Sequence, residues 1–173
     1  MRHLSLWIPF SLAFFFASVG TALFPEIRIW AFAPFLAILH HRVNFSKALW
    51  ISFFCGLIID CLSSQLRFGL FALNHVFVSL LLYREKRHFF EEKALALSLY
   101  ATVISAFLSL FFMLFSYWSG GIEWSIALVF SDLVLMPFLD GVYAFLWFTC
   151  PLSLILYFKK YGLRHLIPKE EEP

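Results

Sequence analysis

Residues 94–118 read ALALSLYATVISAFLSLFFMLFSYW, a long apolar run without a charged residue, a glycine or a proline. A helix needs about 20 apolar residues to cross the hydrocarbon core of a bilayer, and this run exceeds that length. The apolar residues are continuous rather than alternating with polar ones, which is typical of a helix and not of a strand. The run therefore predicts a membrane-spanning α-helix.

The composition of the whole chain points the same way. Of its 173 residues, 62% are hydrophobic and 14% are charged, whereas soluble domains have about 45–50% and about 25%. A soluble fold of this size could not bury so much apolar surface. The net charge of +2 is too small to indicate nucleic-acid binding. We expect an all-α polytopic membrane bundle without a separate soluble domain.

Six apolar segments define the expected topology. We predict spans at about residues 4–24, 29–39, 43–63, 68–83, 94–118 and 138–158, which make residues 1–158 one transmembrane domain. The second segment would cover only about half of the core, so either the bilayer is thinner around it, or snorkelling Arg28 and Arg42 extend it, or it is partly re-entrant. Before the last span, Pro137 and Gly141 predict a break that separates it from an interfacial helix at about 124–136.

The basic residues orient this topology. With the N-terminus inside, eleven of the thirteen Lys and Arg residues lie in inner segments, and only Arg28 and Arg67 lie outside. A seven-span chain would place the basic tail at residues 159–173 outside, so six spans with both ends in the cytoplasm are favoured. The aromatic belts would then include Trp7 and Trp50 near the inner interface, and at the outer interface Trp30, Trp118 and Trp124.

The first segment has a second interpretation as a cleaved signal peptide. Arg2 and His3 precede the apolar stretch, and small residues follow at Gly20 to Ala22. The stretch is long and bulky for the apolar part of a signal peptide, so a retained first span is the favoured interpretation.

A polar face on the third span is the first candidate site. Ser52, Gly56, Asp60 and Ser63 recur at helical spacing, and small residues allow another helix to approach closely. A carboxylate inside a span is costly, so Asp60 should face the bundle, with Arg67 as its expected partner. Either a partner, ligand or proton site or a structural polar contact would explain it.

The fourth span carries Asn74 and His75, and Arg67 shares a face with Asn74 if the helix begins early. His75 would lie near the middle of the bilayer. A lone histidine there could act in a proton relay, but no second titratable group lies one turn away. A hydrogen-bonded packing role is the favoured interpretation.

Two further polar features lie in the last two spans. The fifth span has a stripe that predicts helix packing rather than catalysis, formed by Ser98, Thr102, Ser105, Ser109 and Ser116. Asp132 and Asp140 are expected near water at the outer side. Asp140 precedes Gly141, and we expect it to cap the start of the sixth span.

The sequence contains no motif for catalysis, a metal or a cofactor. It has no phosphate-binding glycine loop, no zinc-spaced His/Glu motif and no base beside the serines. His40 and His41 form a cluster at the inner interface, and adjacent residues make poor co-ligands. Cys55, Cys61 and Cys150 are expected to be small buried apolar residues. We expect neither an enzyme nor a bound cofactor.

One part of the chain resembles the MreD family of rod-shape-determining membrane proteins. The resemblance rests on residues 39–44 (LHHRVN), on the span end Gly56-Leu-Ile-Ile-Asp60, and on Gly69, which follows nine residues after the aspartate. It covers about a quarter of the chain, between Ala37 and Tyr83. The sequence departs from the family at Asp140, where a polar amide is frequent.

The resemblance implies a non-enzymatic component of the bacterial cell-elongation complex in the cytoplasmic membrane. Its implied partners are an MreC-like bitopic protein, the MreB filament and the peptidoglycan transpeptidase and glycosyltransferase. A small substrate-binding membrane subunit of a vitamin-type importer is the alternative, because such subunits have a similar size and a short second segment.

Overall fold

The structure is a computed structural model, and it describes residues 6–23, 29–63, 68–85, 94–118 and 125–151. These residues form an all-helical bundle of six helices. The first five are α1 (Trp7–Leu23), α2 (Ala33–Arg42), α3 (Phe45–Leu62), α4 (Leu70–Leu82) and α5 (Ala94–Trp118). The sixth, α6, is continuous helical backbone made of Ile126–Phe130, Ser131–Leu135, Met136–Ala144 and Phe145–Thr149.

Two helices form the centre of the bundle. The short helix α2 has ten residues, of which seven are buried. Helix α5 packs against α2, α4 and α6, while α3 packs mainly against α4. The bounds of α5 are those predicted from its uninterrupted apolar run. Helix α2 is as short as predicted, but it begins four residues later and ends three residues later than expected.

The distribution of polarity suits a lipid environment. Large apolar side chains such as Trp50, Phe138 and Trp118 are exposed on the outside. Twelve polar or charged residues of the described ranges are buried within the bundle: His40, Ser52, Asp60, Asn74, His75, Ser79, Ser98, Ser105, Ser109, Ser116, Asp140 and Thr149. Polar groups are costly in lipid, so those within membrane spans face the interior of the bundle. Within the described ranges, three helical stretches are long and apolar enough to cross a membrane by length and composition, namely Phe45–Leu62, Ala96–Trp118 and Ser131–Thr149.

The predicted break between residues 136 and 138 is wrong. Helix α6 continues through Pro137 and Gly141, so the expected interfacial helix at 124–136 is not separate from the sixth span. A π-helical turn, Ser131–Leu135, precedes the proline, and Met136 N–H donates to the carbonyl of Ser131. The wider turn accommodates the proline ring, which would otherwise collide with the carbonyl four residues earlier.

The same arrangement recurs at the end of α6. Phe145–Thr149 is π-helical, Cys150 N–H donates to the carbonyl of Phe145, and Pro151 follows. Each π-helical turn therefore ends two residues before a proline. The helix tolerates both prolines because its hydrogen bonds are already shifted by one residue there.

The cysteines are only partly placed as predicted. Cys55 is buried and Cys150 is half-buried, but Cys61 is exposed on the outside of α3. The prediction of a buried Cys61 is wrong. The outer surface of a membrane bundle is as apolar as its core, so apolar neighbours in the sequence do not show on which of the two Cys61 lies.

Candidate functional site

Asp60 binds the start of a neighbouring helix. Its Oδ1 accepts the backbone N–H of Phe71 at 3.2 Å, and its Oδ2 accepts that of Ala72 at 2.9 Å. Both amides belong to the first turn of α4, where N–H groups have no acceptor within the helix. Asp60, from the last turn of α3, therefore caps α4 and places negative charge at the positive end of its dipole.

Two glycines complete this contact, which we call the α3–α4 junction (Gly56, Asp60, Gly69, Phe71 and Ala72). A Cβ on Gly56 would lie 2.4 Å from the Cα of Ala72, so only glycine permits this approach of the two backbones. Gly69 precedes α4 with a φ of 96°, a left-handed conformation that disfavours side chains. Gly56 brings the helices together, Gly69 turns the chain, and Asp60 binds the exposed amides.

The predicted partner of Asp60, Arg67, lies outside the described residues. Both carboxylate oxygens of Asp60 already accept hydrogen bonds from α4. The Asp60–Arg67 pair stays a prediction, and the backbone amides are partners that the sequence analysis did not name.

Asp140 forms a second buried contact, and its predicted role was wrong. It lies within α6 and caps neither that helix nor any water-exposed turn, because its side chain is fully buried. Its Oδ1 and Oδ2 lie 3.2 and 3.4 Å from the backbone nitrogen of Trp30, which donates to them. Ser105 of α5 donates its hydroxyl to Oδ2. Asp140 thus joins α6 to α5 and to the chain that leads into α2.

Trp30 belongs to the same contact, which we call the Asp140 cluster (Trp30, Ser105, Ser109 and Asp140). Its indole Nε1 donates to Ser109 Oγ at 2.8 Å, and only 2% of the residue is exposed. The prediction that Trp30 lies in an outer aromatic belt is therefore wrong. Of the other belt tryptophans, Trp7, Trp50 and Trp118 are exposed, and Trp124 lies outside the described residues.

Asn74 and His75 are buried beside this cluster. Asn74 Nδ2 donates to the carbonyl of Leu108 at 2.9 Å, which ties α4 to α5. His75 Nδ1 lies 2.8 Å from the carbonyl of Phe71, and because a carbonyl only accepts, Nδ1 carries the proton. His75 Nε2 and Asn74 Oδ1 find no hydrogen-bond partner among the described residues. The His75 ring packs against the ring of Trp30 at 5.8 Å.

The polar stripe of α5 faces the bundle. Ser98, Ser105 and Ser109 are buried, and Thr102 is half-buried. A Cβ on Gly141 would lie 2.1 Å from Thr102 Oγ1, so the stripe is also where α6 approaches α5 closely. Small hydroxyl residues permit that approach and supply donors to Asp140 and to the carbonyl of Ser98.

A third contact, the His40 network (His40, Ser52, Ser79 and Tyr100), was missed by the sequence analysis. His40 is fully buried, with Nδ1 at 3.0 Å from Tyr100 Oη and Nε2 at 3.1 Å from Ser79 Oγ. Ser79 Oγ lies 2.6 Å from Ser52 Oγ. The network joins α2, α3, α4 and α5. All four polar residues lie on apolar helices and could have been noticed there. Because they are far apart along the chain, the sequence pattern did not show that they are in contact.

These contacts are suited to holding helices together. In the described ranges, no group of three or more His, Cys, Asp or Glu side chains could hold a metal ion. Two grooves of about 320 and 450 Å³ lie on the apolar outer surface, beside Phe54 and beside Trp7 respectively. Asp60 and Asp140 both accept backbone N–H groups, and Asp140 also accepts the hydroxyl of Ser105. No family model matches the chain, and no curated protein or solved structure matches it.

Proposed function

We propose that this chain is a non-enzymatic membrane component of the bacterial cell-elongation complex, of the kind that the MreD resemblance implies. The observation that carries the proposal is the α3–α4 junction. Gly56, Asp60 and Gly69 are three of the positions on which the resemblance rests, and all three act in one helix–helix contact. Three motif residues that take part in the same helix–helix contact are less readily explained by a chance similarity in hydropathy.

The chemistry of the buried groups supports an assembly role. The Asp140 cluster and the His40 network join helices that are distant in sequence, and the α3–α4 junction joins two consecutive helices, through backbone amides, hydroxyls or an imidazole. Buried polar contacts of this kind fix which helices pack together and in which register. A bundle with a fixed arrangement can present a constant surface to an MreC-like bitopic protein, the MreB filament and the peptidoglycan polymerising and cross-linking enzymes.

The vitamin-importer alternative finds less support. A vitamin-binding site needs a concave pocket with a few polar groups that orient the ligand. The groove beside Phe54 is lined by apolar side chains of α1 and α3, while the buried polar groups lie within helix contacts.

Co-purification tests the proposal. The full-length chain, tagged at one end and expressed at its native level, is solubilised in a mild detergent, and its partners are identified by mass spectrometry. We expect enrichment of wall-synthesis proteins, above all an MreC-like protein. An ATPase-linked energising module or a bound vitamin, recovered without wall-synthesis proteins, would contradict the proposal.

A matched pair of variants links the partners to the junction. Asp60→Leu removes the cap of α4, and Cys61→Ala changes the adjacent exposed residue of the same helix. At equal amounts in the membrane, we expect Asp60→Leu to retain less of the partner complex and Cys61→Ala to retain all of it.

A further inference from the structure

Asp140 is a fully buried carboxyl group, and none of its surface is exposed. The groups that bind it are the backbone N–H of Trp30, at 3.2 and 3.4 Å from its two oxygens, and the hydroxyl of Ser105. No lysine, arginine or histidine of the described ranges pairs with it. An ionised carboxyl group is very costly to bury without a counter-ion, and such a group takes up a proton instead.

Asp60 shows what a buried carboxylate requires in the same protein. Its two oxygens accept two different backbone N–H groups, and both belong to the first turn of α4, where the helix dipole adds positive charge. Asp140 instead receives one backbone N–H, which its two oxygens share, and Trp30 lies before the first turn of α2. A negative charge on Asp140 would therefore be compensated less than the charge of Asp60.

We propose that Asp140 is a proton-binding site whose neutral carboxylic acid joins α6 to α5 and to the chain that leads into α2. A proton from the solvent binds to one carboxyl oxygen, and no other bond forms or breaks. With the proton on Oδ2, the acid donates to Ser105 Oγ, because a hydroxyl oxygen accepts as well as donates. Oδ1 still accepts the N–H of Trp30. Both contacts are thus kept without a buried charge.

Among the described residues, the groups around Asp140 do not replace the missing counter-ion. Tyr143, on the same helix, is the residue on which the charge of Asp140 acts, and a phenol is not a cation. The described part of α1 has no titratable side chain, and His75 of α4 contacts the ring of Trp30. The other titratable residues on α6 and on the helices packed against it are Asp132 of α6, Tyr100 and Tyr117 of α5, and His40, His41 and Arg42 at the far end of α2.

Carbon NMR of the full-length chain in lipid nanodiscs tests the protonation state. The chain has three aspartates, Asp60, Asp132 and Asp140, so ¹³C-labelling of the aspartate carboxyl groups gives three signals. Asp60→Asn and Asp132→Asn identify the remaining signal as that of Asp140 without a change at Asp140 itself. At about pH 6, two units above the usual pKa of an aspartic acid, about 1% of a free carboxyl group carries a proton. We expect most of Asp140 to carry one at that pH, whereas Asp60 should give a carboxylate signal. A carboxylate at Asp140 overturns the proposal.

Two substitutions of aspartate by asparagine make opposite predictions. In Asp140→Asn, the amide oxygen accepts from Trp30 and the N–H₂ group donates to Ser105, as the neutral acid does. Its thermal midpoint in detergent should therefore match that of the wild type at the pH of the NMR experiment. In Asp60→Asn, the N–H₂ group meets a backbone N–H of α4, so the midpoint should fall.

The pH dependence has a defined sign. The folded state holds the proton of Asp140 more tightly than the unfolded chain does, so the folded state is destabilised as the pH rises and the proton is lost. The midpoint of the wild type should therefore fall relative to that of Asp140→Asn as the pH is raised. A midpoint of Asp140→Asn that is lowered as much as that of Asp60→Asn would overturn the proposal. A wild type that gains stability relative to Asp140→Asn with rising pH would also overturn it.

Discussion

Replacing Asp60 by leucine should destabilise the bundle through two amides on a different helix. The side chain is 93% buried (7% exposed) and binds Phe71 N–H and Ala72 N–H. Leucine accepts neither bond. A buried donor left without a partner costs about 1–3 kcal/mol, so the loss should be about 2–6 kcal/mol. Asp60→Asn keeps one acceptor oxygen but turns an N–H₂ group toward the second amide, so about half of that loss is expected.

Reversible unfolding in mixed detergent micelles, followed by helical circular dichroism, measures these differences in the free energy of unfolding. Cys61→Ala is the control, because Cys61 is exposed on the same turn of α3. The order of stability should be wild type and Cys61→Ala, then Asp60→Asn, then Asp60→Leu. The capping explanation is refuted if Asp60→Leu lies within about 0.5 kcal/mol of the wild type, the range of an ordinary surface substitution.

Three further predictions concern the other contacts. Gly56→Ala should lower the free energy of unfolding by about 1–3 kcal/mol because the new methyl group overlaps α4. Gly20→Ala is the control and should be neutral or slightly stabilising, because a methyl group on Gly20 would meet open space. Equal effects of the two substitutions would contradict the close contact at Gly56. Ser105→Leu should lower the thermal midpoint in detergent, because it removes a donor to a buried carboxylate and forces α5 from α6; an unchanged midpoint would mean that this face is not packed. Trp30→Phe should cost about 1 kcal/mol for the lost indole bond, measured by the same unfolding assay, and a loss near zero would show that the bond contributes nothing.

The parts of the fold that were predictable depend on local pattern. The limits of α5 follow from an apolar run without breakers, and the shortness of α2 follows from the charges around it. The polar face of α3 was also visible, since Ser52, Gly56 and Asp60 repeat at helical spacing. These features need only neighbours within a few turns.

The parts that were missed depend on distant contacts or on local hydrogen-bond shifts. Trp30 and Asp140 are 110 residues apart, and His40 and Tyr100 are 60 apart, so neither pair can be recognised from periodicity. Trp30 is a tryptophan near the predicted end of a span, as aromatic-belt residues are, yet its indole N–H donates to an acceptor inside the bundle. Pro137 predicted a break because proline usually interrupts a helix. The π-helical turn that accommodates this proline leaves no signature in the residue types, so the continuous helix was not predicted.

We propose that these contacts lie within a bundle that crosses a membrane six times with both ends in the cytoplasm. Reporter fusions at four positions test it most directly, because the charge distribution assigns each position to one side. Fusions after Leu39 and Tyr83 should report the cytoplasm, and fusions at Arg67 and Gly120 should report the exterior. A cytoplasmic signal at Gly120 would contradict the six-span bundle.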